Sequence, residues 1–342
     1  MSRIVVYGLD NLPVGEFTGI VNRSWAINDA NSTTVTVSGN DIAEKPFIQM
    51  GRVVVIYHDK LPEWVGVIDA PISCLYKASL ALYSIEYLLS LRMPLDKWSW
   101  TSNKTDNVIA YMIKLVNDQQ DTYFRPGVFN PYINDTYNVG SFSADNYWNQ
   151  IKGYAKSRHY EIFTRVARVN SQLIYYLDTY AYGLYGTDCT EILLHDGDGG
   201  NVELKDISVS EAPINLLKYY VGTSIESASY VSNIYKDDRS VSDYRLRSSL
   251  MQTDSITSIS ALNNFAIAAL AKYKVPKVTT TLNILDVGDI LSFIKLGNTF
   301  SIRITNCVFP GGKTGYRGRG RIEMMTYNEL TNNVTVSFGG IL

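Results

Sequence analysis

Cysteine is scarce in this 342-residue chain. Cys74, Cys189 and Cys307 lie far apart and form no Cys-x-x-Cys pair. So sparse and odd a set excludes a disulfide framework and a cysteine zinc site. Histidine is equally scarce: His58, His159 and His195 have no partner at metal-ligand or triad spacing. Charge is low too, with 19% of residues Asp, Glu, Lys or Arg, against roughly 25% in an ordinary soluble domain. A net charge of −2 and a pI near 6.0 exclude a generalised polyanion binder and leave room for a local basic site. No run approaches the roughly 18 apolar residues of a membrane-spanning helix. The opening MSRIVVYGLDNLPVGEF has no apolar core of signal-peptide length, so a soluble chain made in a reducing cytosol is expected. The phosphate-loop, dinucleotide, nucleophile-elbow and zincin motifs are missing, and GGKTG at Gly311 lacks the upstream glycine of a P-loop. The chain is therefore not expected to be an enzyme, and no cofactor or metal is indicated.

What is abundant is tyrosine, 25 residues. A rigid apolar body with a polar tip suits sheets and protein interfaces alike. Strand patterns fill the first ninety residues. In TTVTVSG, Thr33, Val35 and Val37 share one face, the two-residue period of a half-buried strand. RVVVIYH and EWVGVID flank Asp59–Pro62 as a hairpin, and SLALYSIEYLLSL (Ser79 to Leu91) reads as a long buried strand. After Pro94, helices are predicted over 105–117, behind a Thr105/Asp106 cap, and over 143–156, with Tyr147, Trp148, Ile151, Tyr154 and Ala155 on one face. A hairpin follows, turning at Asn170-Ser171. Strands EILLH and NVELKDISV flank a Gly-rich turn, and a third helix is predicted from about Ser255 to Tyr273, carrying Ile256, Ile259 and Leu262 on its apolar face. The last seventy residues read as strands: TTTLNIL, DILSFIKL, TFSIRITNCVF, RGRIEMMTY and NVTVSFG. Regular βαβ alternation is missing, so a doubly wound sheet is not expected.

Two segments invite a chemical reading. HDGDGGN (His195 to Asn201) offers two carboxylates in a Gly-rich loop but lacks the further oxygen ligands of a calcium loop, and a hairpin turn explains it more simply. GYRGRGRIEMMTYNE (Gly315 to Glu329) resembles an RNA-binding RGG tract at first sight. RGG tracts are repeated and poor in apolar residues, whereas this one feeds an apolar alternation. As a strand it sets Arg317, Arg319, Arg321 and Glu323 on one face and Gly318, Gly320, Ile322 and Met324 on the other, the glycines facing the core side or loosening the strand entry. The arginine row is the candidate inter-subunit or channel-facing contact.

The stretch VGDILSF, followed by RGRIEMMTYNELTNNVTVSFGG, resembles the last barrel of phage tail baseplate-hub proteins, with a Gly-Asp strand start and a closing Val-Thr-Val hairpin. MGRVVVIYHDKLPEWVGVIDAP (Met50 to Pro71) is similar to that family's first barrel. The resemblance implies a mainly β fold with inserted α+β: two antiparallel β-barrel domains plus a mixed α/β domain. It divides the chain into a first barrel at 1–93, a mixed domain at 94–185 and 216–275, and a discontinuous second barrel at 186–215 and 276–342. It implies a homotrimeric tail-tip hub that rings the channel and adapts a sixfold tail tube to a threefold tip. The implied partners are the tail tube or distal tail protein and a spike, fibre or tape-measure protein, with DNA as a passing contact in the channel. The implied location is the virion, after synthesis in the host cytoplasm. The competing readings are a carbohydrate- or receptor-binding tail protein using Trp98, Trp100 and the Tyr132–Tyr137 loop, and nucleic-acid binding through Arg317, Arg319 and Arg321.

Overall fold

The computed structural model describes residues 1–38, 44–72, 77–95, 100–130, 136–139, 145–158, 160–222, 224–253, 256, 258–285, 289–308 and 314–339. Its first six strands are β1 (Ser2–Tyr7), β2 (Pro13–Ala26), β3 (Ser32–Ser38), β4 (Val53–Ile56), β5 (Trp64–Ile72) and β6 (Lys77–Ser84). They pair antiparallel in the order β1-β4-β5-β6-β3-β2, and β2 returns to β1 to close a barrel. Thr33, Val35 and Val37 point inward, as alternation predicts. β1 and β4 instead read as unbroken apolar runs because both their faces are buried. Ile4, Val6, Val54 and Ile56 fill the barrel, while Val5, Tyr7, Val53 and Val55 lie under the middle of the chain.

The expected long strand at 79–91 is corrected. β6 stops at Ser84 and a helical turn follows, α1 (Tyr87–Ser90). Leu80 and Leu82 fill the barrel, whereas Ile85 and Leu89, four residues apart, turn into the neighbouring core. One apolar run serves two cores, and its composition does not mark the switch.

Next come β7 (Trp100–Lys104), α2 (Thr105–Gln119), β8 (Phe124–Asn130), β9 (Thr136–Val139), α3 (Tyr147–Ser157), β10 (Tyr160–Val169) and β11 (Gln172–Ala181). α2 buries Val108, Ile109, Met112, Ile113 and Val116, but Thr105 is already helical and no side chain caps the N-terminus. α3 buries the five predicted residues, and the Asn146 side chain accepts from the Asn149 amide as its cap. The β10–β11 hairpin turns at Asn170 (φ 51°) and Ser171 (φ 67°). Two successive left-handed residues match the twist of the paired strands.

The remaining elements are β12 (Asp188–His195), β13 (Val202–Glu211), β14 (Leu216–Val221), β15 (Tyr230–Val231), β16 (Tyr235–Lys236), α4 (Asp238–Tyr244), β17 (Ser248–Thr253), α5 (Ile259–Tyr273), β18 (Lys277–Ile284), α6 (Ile290–Phe293), β19 (Thr299–Val308), β20 (Thr314–Asn328) and β21 (Asn333–Gly339). α5 starts later than predicted because the Ser258 hydroxyl caps the Ala261 amide. Ile256 is buried ahead of the helix and Ile259 is exposed. DILSFIKL is not a strand: residues 290–293 make a helical turn that buries Leu291, and Ile294 just beyond it is buried too.

The second sheet runs β12-β19-β20-β21-β18-β13. β12 is parallel to β19 and the other pairs are antiparallel. Segments 188–195 and 202–211 thus join strands far downstream, Asp188 pairing with Thr299 and Val202 with Ile284. β12 and β13 share no strand ladder among the described residues, but HDGDGG is the Gly-rich turn expected between them, closed by the Asn201 amide donating to the His195 carbonyl at 3.0 Å and the Gly200 amide to the Gly197 carbonyl at 2.9 Å. β2 and β20 fuse the two barrels, Asn22–Ala26 pairing with Met324–Asn328. Leu61, from the β4–β5 loop of the first barrel, is buried in the core of the second.

Candidate assembly surface on the second barrel

β20 supplies the arginines. Its inward face begins with Gly320, where a Cβ would lie 2.5 Å from Ile302 Cδ1 and 2.9 Å from Phe338 Cδ1. Only glycine lets these two core side chains close over the strand. A bulge between Ile322 and Met324 then reverses the alternation. Met325 and Tyr327 are buried while Met324 is 39% exposed, which corrects the expectation that Met324 faces the core.

Arg317 and Arg319 are exposed on the outer face. Across the antiparallel ladder Arg317 sits directly opposite Arg303 of β19, which is exposed as well, and Arg319 sits opposite Ser301. Like charges facing each other across strands are unfavourable, so Arg303 and Arg317 leave uncompensated positive charge on this face. Arg319 has Asp188 nearby, whose carboxyl is lowered by its bonds to Thr190 and, less, by Arg319. Beside the arginines, Thr190, Leu193 and Ser301 help line an open hollow of about 380 Å3 that reaches Arg317 and Arg319. The Ser301 hydroxyl donates to the Thr190 carbonyl at 2.6 Å. Arg303 escaped the sequence reading because only the strand register brings it to Arg317.

Arg321 is spent inside the chain. Its guanidinium meets Glu161 of β10 with two bonds, Nη1 to Oε1 at 2.6 Å and Nη2 to Oε2 at 2.8 Å. It also donates to the carbonyls of Gly297 at 3.1 Å and Tyr185 at 2.9 Å. Glu161 is 1% exposed, and burial pushes its carboxyl above the usual range despite the opposing pull of Arg321. This fork ties the middle of the chain to the second barrel. The row of three therefore divides into Arg317 and Arg319 outside and Arg321 in a clamp.

The remaining polar candidates are structural. Asp196 accepts from the Thr305 amide at 2.6 Å, the Thr305 hydroxyl at 2.7 Å and the Asn306 amide at 3.2 Å. Burial pushes its carboxyl up, but these bonds outweigh that and hold it below the usual range. Asp198 is exposed, and no group of three or more His, Cys, Asp and Glu among the described residues is placed to hold a metal. His58 Nδ1 accepts from the amides of Lys60 (3.1 Å) and Leu61 (3.2 Å), and its ring meets Tyr327 edge-on at 5.0 Å. Cys189 and Cys307 are free buried thiols, raised by burial. Cys74, His159, Trp98, Tyr132 and the GGKTG start at Gly311 lie outside the described residues, as do the side chains of Trp100 and Tyr137. No described helix is long and apolar enough to cross a membrane.

The fold is a closed six-stranded barrel joined to a second six-stranded sheet, with helices and smaller sheets inserted, and solved structures of tail proteins share it. It aligns with prophage tail protein gp18 from Listeria monocytogenes over 99% of this chain and 94% of that one, with a TM-score of 0.66 at 12% identity. A tail protein from Neisseria meningitidis aligns over 100% and 96%, with a TM-score of 0.65 at 11% identity. The Escherichia coli c3393 protein is described as a type VI secretion component similar to the T4 tail proteins gp27 and gp5. It aligns over 100% of this chain and 74% of that one, with a TM-score of 0.52 at 10% identity. No family model and no curated protein matches the sequence. The chain has the hub-like fold of phage tail proteins.

Proposed function

We propose that the chain is a structural, non-enzymatic virion protein of a phage tail, acting as the hub at the tail tip. The observation that carries this reading is the likeness to tail proteins along the whole chain, with nearly all of each neighbour covered in two cases. In this reading three copies ring the tail channel with two barrels each, matching a sixfold tube on one side and a threefold tip on the other. The tail tube or distal tail protein contacts one face, and a spike, fibre or tape-measure protein the other. The domains divide as the resemblance implies, with the 94–185 and 216–275 segments outside or below the ring. Arg317 and Arg319, joined by Arg303, form the surface that meets a neighbouring subunit. Sedimentation equilibrium should give three times the 38.4 kDa chain mass, and averaged images of tail tips labelled on this chain should show a threefold ring. A chain that stays monomeric and is missing from purified tails would overturn the proposal.

A further inference from the structure

The sheet built on β14 ends in an open edge. β17 runs parallel to β14 from Leu216 opposite Ser248 to Val221 opposite Thr253, so it takes one whole side of that strand. β15 and β16 share the other side, and among the described residues β17 pairs with no further strand. An edge strand turns half of its backbone N–H and C=O groups away from its one neighbour, and natural edges are guarded by charge, proline or a bulge. Other edges of this chain follow that rule: β8 carries Arg125 and Pro126, β12 Asp188 and Glu191, and β13 Lys205 and Asp206. β17 reads SSLMQT, with no charge and no proline, and its ladder has no register shift. Leu250 in its middle is 51% exposed.

Just ahead of this edge the backbone is strained. Arg245, which caps the C-terminus of α4, has φ 64° and ψ 166°, a region essentially reserved for glycine. Such strain persists only where the surroundings over-determine it, and it gathers at functional sites. Here the surroundings are Asn215, which is fully buried. Its Nδ2 donates to the Arg245 carbonyl at 2.7 Å, and its Oδ1 accepts from the Arg247 amide at 2.8 Å. Its own amide donates to the Arg247 carbonyl at 3.0 Å. The backbone is thereby fixed while Arg245, Leu246 and Arg247 stay exposed, and neither arginine has an ion pair among the described residues.

We propose that β17 is a docking edge for an extended acidic segment of another protein. The segment joins the sheet as a further strand, with its carboxylates against Arg245 and Arg247. Main-chain bonds along β17 supply affinity, and side chains at the edge supply specificity. An apolar side chain of the incoming strand covers Leu250, and the guanidinium forks select carboxylates. A nucleic acid would meet the same two arginines, but its phosphate backbone cannot continue a ladder of amide donors and carbonyl acceptors. The inference goes beyond the hub reading and stands without it.

The test is fluorescence anisotropy of labelled peptides titrated with the full chain. The first peptide alternates threonine and valine and carries aspartates at both ends. A second has lysines in place of the aspartates, a third has proline at alternate positions, and a DNA oligonucleotide is the polyanion probe. Saturable binding of the first peptide is expected, with the lysine and proline versions weaker by about tenfold or more. Arg245→Gly removes a charge and suits the backbone conformation, so it should weaken binding roughly two- to fivefold while the melting temperature holds or rises. Arg247→Gln should weaken binding similarly, and Lys114→Gln on the exposed face of α2 should leave it unchanged. Silence towards the first peptide, equal binding of all three, tighter binding of DNA, or undiminished binding in both arginine variants would overturn the proposal. So would self-association of the chain that Arg245→Gly abolishes, because the edge would then belong to a second copy.

Discussion

His58 accepts two backbone amides through one ring nitrogen, and only a neutral imidazole keeps that lone pair. Burial, and then the nearby Arg23 charge, hold its pKa below the free value, which is about 6.5. As pH falls through that free value the unfolded chain takes up the proton first, so stability supplied by neutral His58 is complete above it and lost towards the lower folded value. Because Leu61 of the same loop plugs the second barrel, urea midpoints should drop between pH 7.5 and 5. The drop should be smaller in His58→Gln, and equal drops would remove His58 from the explanation. The arginines make a second case at this scale. Removing one partner of a buried ion pair costs about 3–5 kcal/mol, so Arg321→Met and Glu161→Gln should each destabilise by that order. Arg317→Met and Arg319→Met should stay within about 0.5 kcal/mol. Chemical denaturation of the four variants checks this, and a fully apolar replacement of both Arg321 and Glu161 should recover much of the loss.

Among the elements, legibility followed how many cores a segment serves. β3, facing one core and solvent, was read from Thr33, Val35 and Val37 alone. α3 was equally clear, with five apolar residues at helical spacing. Segment 79–91 hides its break because its apolar residues divide between two cores, and 290–293 because a single helical turn has too few residues to display a period. Simple alternation puts Met324 on the wrong face because a bulge leaves no mark in composition. Arg321 could not be separated from Arg317 and Arg319, since Glu161 lies 160 residues away in sequence. Glycines sort the same way. Gly320→Ala pushes a methyl into Ile302 and Phe338 and should cost about 1–3 kcal/mol, whereas Gly153 of α3 has nothing within 4 Å of a new Cβ. Gly153→Ala should therefore stabilise by about 0.5–1 kcal/mol. Opposite shifts in melting temperature are expected, and shifts of the same sign would contradict this account of β20.

For the whole molecule, β2 and β20 matter most, because each runs through one barrel and into the seam with the other. The seam buries Arg23, 1% exposed, against the Tyr327 ring at 5.2 Å and beneath the Ile56 carbonyl at 3.4 Å. Desolvation lowers its pKa to about 10, still far above neutrality, so the seam keeps its charge. One continuous backbone ladder thus carries β20, with Arg317 and Arg319, from the second sheet to the seam with the first barrel. Arg303 and Arg317 face each other across β19 and β20, and in the proposed three-copy ring an acidic patch on the next subunit would offset that repulsion. Reversing Arg317 and Arg319 to Glu should therefore shift the proposed trimer towards monomer at fixed concentration. Added salt should weaken the wild-type trimer in the same direction, since exposed charges are screened beyond roughly 10 Å at 0.1 M. Sedimentation velocity across a salt series separates the outcomes. If the reversed variant assembles as tightly as the wild type but loses a salt-dependent affinity for DNA, the triplet belongs to the channel and not to the neighbour.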